Sequence, residues 1–293
     1  MNIAYYLHDE TDSNAFEQKL LWFKQHYNLI SADELKEYLY DGKSLKGCCM
    51  LSVDDGWKST YDVIFPIMRK HNVPFTIFIS PEVTIGRKIF WTYLYKFCNP
   101  EELKSIMVAK RYFRPDVTKY PADLMLKEIP VKDVYEVMEE YFEKHPEISI
   151  PRGFLNLDEV MELHKSGIVE IGAHSNIHPI LKNENDEVCY NEIHDSIEKL
   201  SELLNYKVHT FAYPNGMTNI DFSLREIKIA KEAGIDMAFS VNPGVINAKT
   251  DPLAIPRWGS MARLKFGKFG QYLPSRANQA KLRNMIKELS LQT

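Results

Sequence analysis

The chain has 293 residues, 45% of them hydrophobic and 26% charged, with a formal net charge of -4. That composition belongs to a soluble globular protein long enough to bury about three-quarters of its unfolded surface. It excludes nucleic acid as the main partner, and no run approaches the ~18 uncharged apolar residues of a membrane span.

From the amino terminus, short apolar runs alternate with amphipathic stretches. Strands are predicted at Ile3–Leu7, Cys48–Val53, Phe75–Ile79, Ile168–Gly172, His209–Tyr213, Met237–Ser240 and Leu253–Ile255. Helices are predicted at Ser13–His26, Ala32–Tyr40, Ser59–His71, Leu157–Ser166, Glu187–Leu204 and Leu224–Ala233. This is the rhythm of an α/β protein with parallel strands. Length allows two domains, but barrels of this size fold as one, so 1–293 is read as a single barrel carrying additions. Residues 84–150 interrupt the rhythm with an aromatic cluster from Phe90 to Phe97 and then charged helical sequence. They read as a helical insertion. Its aromatics, Trp91 among them, either cap a sugar site or bury themselves in a small core of their own. In the tail, 261–293, Arg263, Lys265, Lys268, Arg276, Lys281, Arg283 and Lys287 face one acid, Glu288. Leu282, Met285, Ile286 and Leu289 share a helical face there, which suits docking on the chain's own domain or peripheral contact with an anionic membrane.

The four cysteines, none in CxxC spacing, read as reduced thiols. The opening Met1–Glu10 has no basic region ahead of an apolar run. Both point to the cytoplasm, with the inner face of the membrane as a place of peripheral contact. Oligomeric state is not legible.

Two segments carry chemistry. Cys48–Val53 runs into Asp54-Asp55-Gly56, and the strand at 168–172 runs into His174-Ser175-Asn176-Ile177-His178. Side chains at the carboxyl ends of parallel strands converge on one mouth. One carboxylate and two imidazoles make a three-ligand divalent metal site with a position open for water. The second carboxylate can serve as base for that water. Each piece also has a plainer reading. Asp55 could cap the following helix, and the HxxxH spacing is weak by itself.

Taken together, these segments resemble the polysaccharide deacetylase family (carbohydrate esterase 4, the NodB-homology domain). Asp54-Asp55-Gly56 resembles its first motif, His174–His178 its H-[ST]-x-x-H motif and Tyr213-Pro214-Asn215-Gly216 its third. Phe65-Pro66-Ile67 and Pro74-Phe75-Thr76-Ile77-Phe78 fit its connecting phrases, and Tyr6-Leu7-His8 is a near match to the first strand of the poly-N-acetylglucosamine deacetylase branch. The resemblance implies a distorted (β/α)7–8 barrel and a metal-dependent hydrolase that removes acetyl from an N-acetylated sugar. A cytoplasmic setting makes that sugar a precursor in surface-polysaccharide biosynthesis, nucleotide-linked or lipid-linked, rather than a mature secreted polymer. The resemblance implies that Asp55, His174 and His178 bind a divalent ion. Zinc is the default for such a set, with iron, cobalt or nickel as alternatives. It also implies that Asp54 is the base and that backbone N–H near Asn215, with Tyr213 and Pro214, serves the substrate.

Three positions depart from the family pattern. Ser52-Val53 replaces Thr-Phe, Ala212 replaces the arginine that braces the base, and no histidine follows His209. In the branch, an arginine from a later strand takes the bracing role, which by resemblance falls to Arg257 in Ile255-Pro256-Arg257. The general acid falls to His8. The alternatives are a degenerate homologue that binds saccharide without cleaving it, or a small-molecule amidohydrolase on the same scaffold.

Overall fold

The computed structural model describes residues 1–86, 88–259 and 273–291, with side chains of the last stretch from 278 onward. The chain divides into two compact units, one of 1–87 with 153–261 and the other of 88–152 with 262–293.

The first unit is a parallel barrel. Its strands are β1 (Ile3–Leu7), β2 (Asn28–Ile30), β3 (Cys48–Val53), β4 (Phe75–Ile79), β5 (Val169–Ala173), β6 (Thr210–Ala212), β7 (Met237–Phe239) and β8 (Arg257–Gly259). Their order is β7-β6-β5-β4-β3-β1-β8, with β2 beside β3. β1, β3 and β4 are buried along their whole length, as parallel strands covered on both faces should be. The segment before β8 bonds to β7, with Ala238 N–H donating to Pro252 O at 2.8 Å and Ser240 N–H to Ile255 O at 2.9 Å. β8 itself pairs with β1, placing Ala4 opposite Arg257. One short stretch thus links both ends of the strand order and nearly closes the ring. Ala4, Met50, Phe78, Ala212, Phe239 and Ile255 form a shared apolar cluster, reached from outside by Ala32 and Leu35.

The helices start where the sequence supplies caps. Ser31 with Glu34, Asn156 with Glu159 and Ser223 with Glu226 each make a reciprocal capping box. The predicted helix Ser59–His71 divides into a π-helical turn Thr60–Ile64 and an α-helix Phe65–Lys70. Pro66 has no N–H to give Asp62 and crowds that carbonyl; the wider turn, in which Phe65 N–H reaches Thr60 O, accommodates it. The predicted strand at Leu253–Ile255 is corrected: only Ile255 makes a bridge there, and the strand proper is Arg257–Gly259. β2 is not among the predicted strands: it has three residues, of which only Ile30 is buried, too few to show alternation. All four cysteines are free thiols.

A cavity of about 190 Å³, lined in part by Asp33, Phe75, Thr76, His164, Glu170 and Tyr206, lies beside the first residues of β4 and β5. Burial pushes the Glu170 carboxyl up from 4.5 to about 7, against the hydrogen bond it accepts from Thr210 Oγ1 at 3.0 Å. The folded state therefore favours the protonated acid. Its contribution is present below about pH 4.5 and is lost as pH rises through about 7. Glu170→Gln cannot titrate, so it should gain about 2–3 kcal/mol on the wild type between about pH 5 and 8. Denaturant melts at the two pH values check this; a constant gap between the proteins would contradict it.

The second unit is helical. Its main helices are Pro100–Ala109, Val131–Lys144 and Leu273–Lys287, with Ala122–Leu126 packed against the last. Ile286 and Leu289 are buried, Met285 is exposed and Arg283 ion-pairs with Glu128. The tail helix is thus docked within its own unit. Arg263, Lys265 and Lys268 lie outside the described residues, as does the Arg276 side chain. Among the described residues, no helix is long and apolar enough to cross a membrane.

Candidate active site

Three connections leave the carboxyl ends of barrel strands with unusual backbone. After β3, Asp54 N–H still donates to Leu7 O at 3.0 Å, and then the chain turns through two left-handed residues, Asp55 (φ 71°) and Gly56 (φ 67°). A Cβ on Gly56 would sit 2.8 Å from Ile79 Cγ2, so glycine is required for space as well as conformation. After β5, Ser175 (φ 60°) and His178 (φ 63°) are left-handed, and after β6 so is Asn215 (φ 56°). Left-handed non-glycine residues are costly and gather where a site dictates them. Among the described residues, four of the eight stand in the three motifs.

The turn at Asp55 separates the paired carboxylates. Asp54 is held by Arg257, whose Nη1 and Nη2 donate to its two oxygens at 2.7 and 2.8 Å. Arg257 is fully buried. It also donates to Ser52 Oγ and to Ser240 O, both at 3.0 Å, and its guanidinium lies 4.9 Å from the Tyr6 ring centre. Each nitrogen of the guanidinium donates at least one hydrogen bond, which is how a buried charge is tolerated.

Asp55 faces the other way. Its Oδ1 lies 3.4 Å from His174 Nε2 and 3.5 Å from His178 Nε2. A tetrahedral site with bonds of about 2.0–2.1 Å spaces its donors by about 3.4 Å, so these separations suit one ion between the three. Among the described residues this is the one group of three or more donors with such spacing. His174 Nδ1–H donates to Ala212 O at 2.7 Å, which leaves Nε2 as the lone-pair nitrogen. Burial pushes the Asp55 carboxyl up, but a second proton on His174, bonded to Oδ1 from Nε2, and the neighbouring His178 and His8 imidazoles outweigh it and hold the group well below the usual carboxylate range. Asp55 does not cap the next helix; its Oδ2 accepts Trp57 Nε1–H at 3.0 Å.

His8, at the end of β1, places Nε2 4.0 Å from Asp55 Oδ2, and its side chain is 31% exposed. Tyr213 is buried, stacked on Phe222 and bonded through its hydroxyl to Leu253 O, and Pro214 is buried beside it. Their side chains build the turn, leaving the backbone around Asn215 to meet a ligand. Trp91 opens the helix Trp91–Leu94 in the second unit and is 2% exposed, which leaves little ring face for a sugar.

Sequence reasoning passed over Glu192. It sits on the buried face of the helix Asp186–Leu204, and its Oε2 accepts the N–H groups of Asn176 and Ile177 at 3.0 and 3.1 Å. Burial pushes its carboxyl up to about 7. Ser175 Oγ accepts His178 N–H at 3.0 Å. The loop between the two imidazoles is thereby fixed from both sides. The available signal was an acid three residues after Cys189 and one before Ile193, on an apolar stripe.

A family model described as polysaccharide deacetylase matches residues 41–238. The poly-beta-1,6-N-acetyl-D-glucosamine N-deacetylase of Staphylococcus aureus is 22% identical over 253 residues, covering 83% of this chain. The chain spans 64% of that relative's length. Among solved structures, IcaB from Ammonifex degensii superposes with a TM-score of 0.61 at 16% identity, covering 96% of this chain and 97% of that one. The Streptococcus pyogenes deacetylase PplD, in complex with acetate, gives 0.58 at 17% identity, covering 88% of this chain and 91% of that one. At such identities the structural likeness is one of fold.

Proposed function

This chain belongs to the polysaccharide deacetylase family, and from that premise we propose that it removes acetyl groups from an N-acetylglucosamine-containing saccharide during surface-polysaccharide biosynthesis. The observation that carries the proposal is the separation of Asp54 from Asp55. One carboxylate is braced by Arg257, and the other points at two imidazoles with metal-ligand spacing. A mere binder of saccharide has no use for both.

Asp55, His174 and His178 would hold a divalent ion, with zinc the first choice for this donor set. When bound, such an ion supplies a Lewis acid that acidifies water and polarises the acetyl carbonyl. Asp54 accepts the proton of the attacking water, and Arg257 keeps its oxygens in place while it does so. Backbone N–H in the turn around Asn215 donates to the oxygen on which charge develops. His8, protonated, gives its proton to the departing nitrogen as the C–N bond breaks, yielding acetate and a free amine. The substrate class follows the relatives of Staphylococcus aureus, whose name specifies a β-1,6-linked N-acetylglucosamine polymer.

Acetate release from β-1,6-linked N-acetylglucosamine oligomers tests this. Chelator-treated protein should lose activity by at least about 10²-fold and regain it on adding Zn²⁺, Co²⁺ or Ni²⁺. Asp55→Ala and His174→Ala should lose both metal and activity. Stoichiometric metal with no acetate release across a broad panel of N-acetylated sugars would turn the reading to a saccharide-binding homologue.

A further inference from the structure

The second oxygen of Asp55 is not left to solvent. Trp57 Nε1–H donates to Oδ2 at 3.0 Å, while Oδ1 is the oxygen that faces both imidazoles. The backbone on either side of Trp57 is held. Leu155 N–H donates to Gly56 O and Lys58 N–H to Gly153 O, both at 2.8 Å. Trp57 pairs antiparallel with Phe154, their rings 4.6 Å apart, and is 8% exposed. Residues 153–155 are the stretch by which the chain re-enters the first unit. The returning segment therefore holds Trp57, and Trp57 in turn holds the carboxylate.

We propose that Trp57 is a positioning residue that confines Asp55 to a single metal-facing oxygen. The inference rests on the metal reading given above. A carboxylate free to rotate can offer both oxygens to one ion, filling a position that the reaction needs open for water. It also loses the fixed spacing to His174 and His178. An indole N–H on Oδ2 prevents both. Hydrogen-bond partners of metal ligands commonly act this way, and their removal costs about 10–100-fold in affinity.

The test is Trp57→Phe, which keeps an aromatic ring against Phe154 and removes the N–H. Co²⁺ affinity, measured by competition with a coloured chelator, should fall at least about 10-fold. The visible spectrum of the Co²⁺ protein should change with it, because an added oxygen ligand alters the d–d bands. Circular dichroism should stay as in the wild type. Wild-type Co²⁺ affinity in a folded Trp57→Phe protein overturns the proposal. A wild type that binds no Co²⁺ would instead overturn the metal reading beneath it. Should the variant not fold, the indole resonance of Trp57 in the ¹⁵N-labelled wild type decides. It is expected to stay protected from solvent exchange with and without Zn²⁺. Loss of that protection on Zn²⁺ addition overturns the proposal.

Discussion

Arg257→Met is expected to cost about 3–5 kcal/mol of stability, because it leaves the Asp54 carboxylate buried without its partner. Asp54 is 2% exposed and takes two charge-assisted hydrogen bonds from one guanidinium. Methionine restores the apolar volume among Tyr6, Phe78 and Phe239 but none of the charge. Two further acceptors, Ser52 Oγ and Ser240 O, also lose their donor. The double variant Asp54→Asn with Arg257→Met removes both charges and should recover most of the loss. Arg257→Lys should fall between, since an ammonium keeps the charge and forfeits the two-pronged geometry. Urea titrations of the three proteins check the ordering. A loss below about 1 kcal/mol for Arg257→Met, within the range of an exposed pair, would show that the pair is not the buried brace described here.

The same residue shows where sequence reading succeeds and where it stops. β1, β3 and β4 run over the residues predicted for them, because short, mostly apolar runs of five or six residues bounded by polar or turn residues fit strands buried on both faces. β8 was misplaced by a few residues. Arg257, Trp258 and Gly259 have no strand-like pattern; they form one because the barrel interior offers the guanidinium its acceptors. Burial of an arginine is a tertiary fact, invisible to local periodicity. Family resemblance, not periodicity, singled out Arg257 as the partner of Asp54.

The site was legible to a similar depth. Asp55, His174 and His178 carry a pattern of residue type and spacing, and the strand ends bring them together. The groups that hold them do not. The Glu192 bonds run to backbone N–H groups, which every residue possesses, and the Trp57 bond depends on a turn through two left-handed residues. Both interactions depend on conformation more than on residue type, so no motif records them.

Asp54→Asn is expected to lower acetate release by at least about 10²-fold, the usual worth of a positioned base, while zinc stoichiometry stays as in the wild type. The substitution is close in shape and leaves Asp55, His174 and His178 untouched, so the ligand set survives. What it removes is the capacity to take a proton. An amide also cannot accept from both prongs of Arg257, because one of its two ends is a donor. A modest loss of stability should accompany the loss of rate, and that loss is separable by assaying well below the melting range. Asp55→Ala provides the contrast: it should fail in metal binding and in catalysis together. Two adjacent carboxylates would then be distinguished by what each variant retains. Near-full activity in metal-loaded Asp54→Asn would move the base elsewhere and leave Arg257 and Asp54 as a purely structural pair.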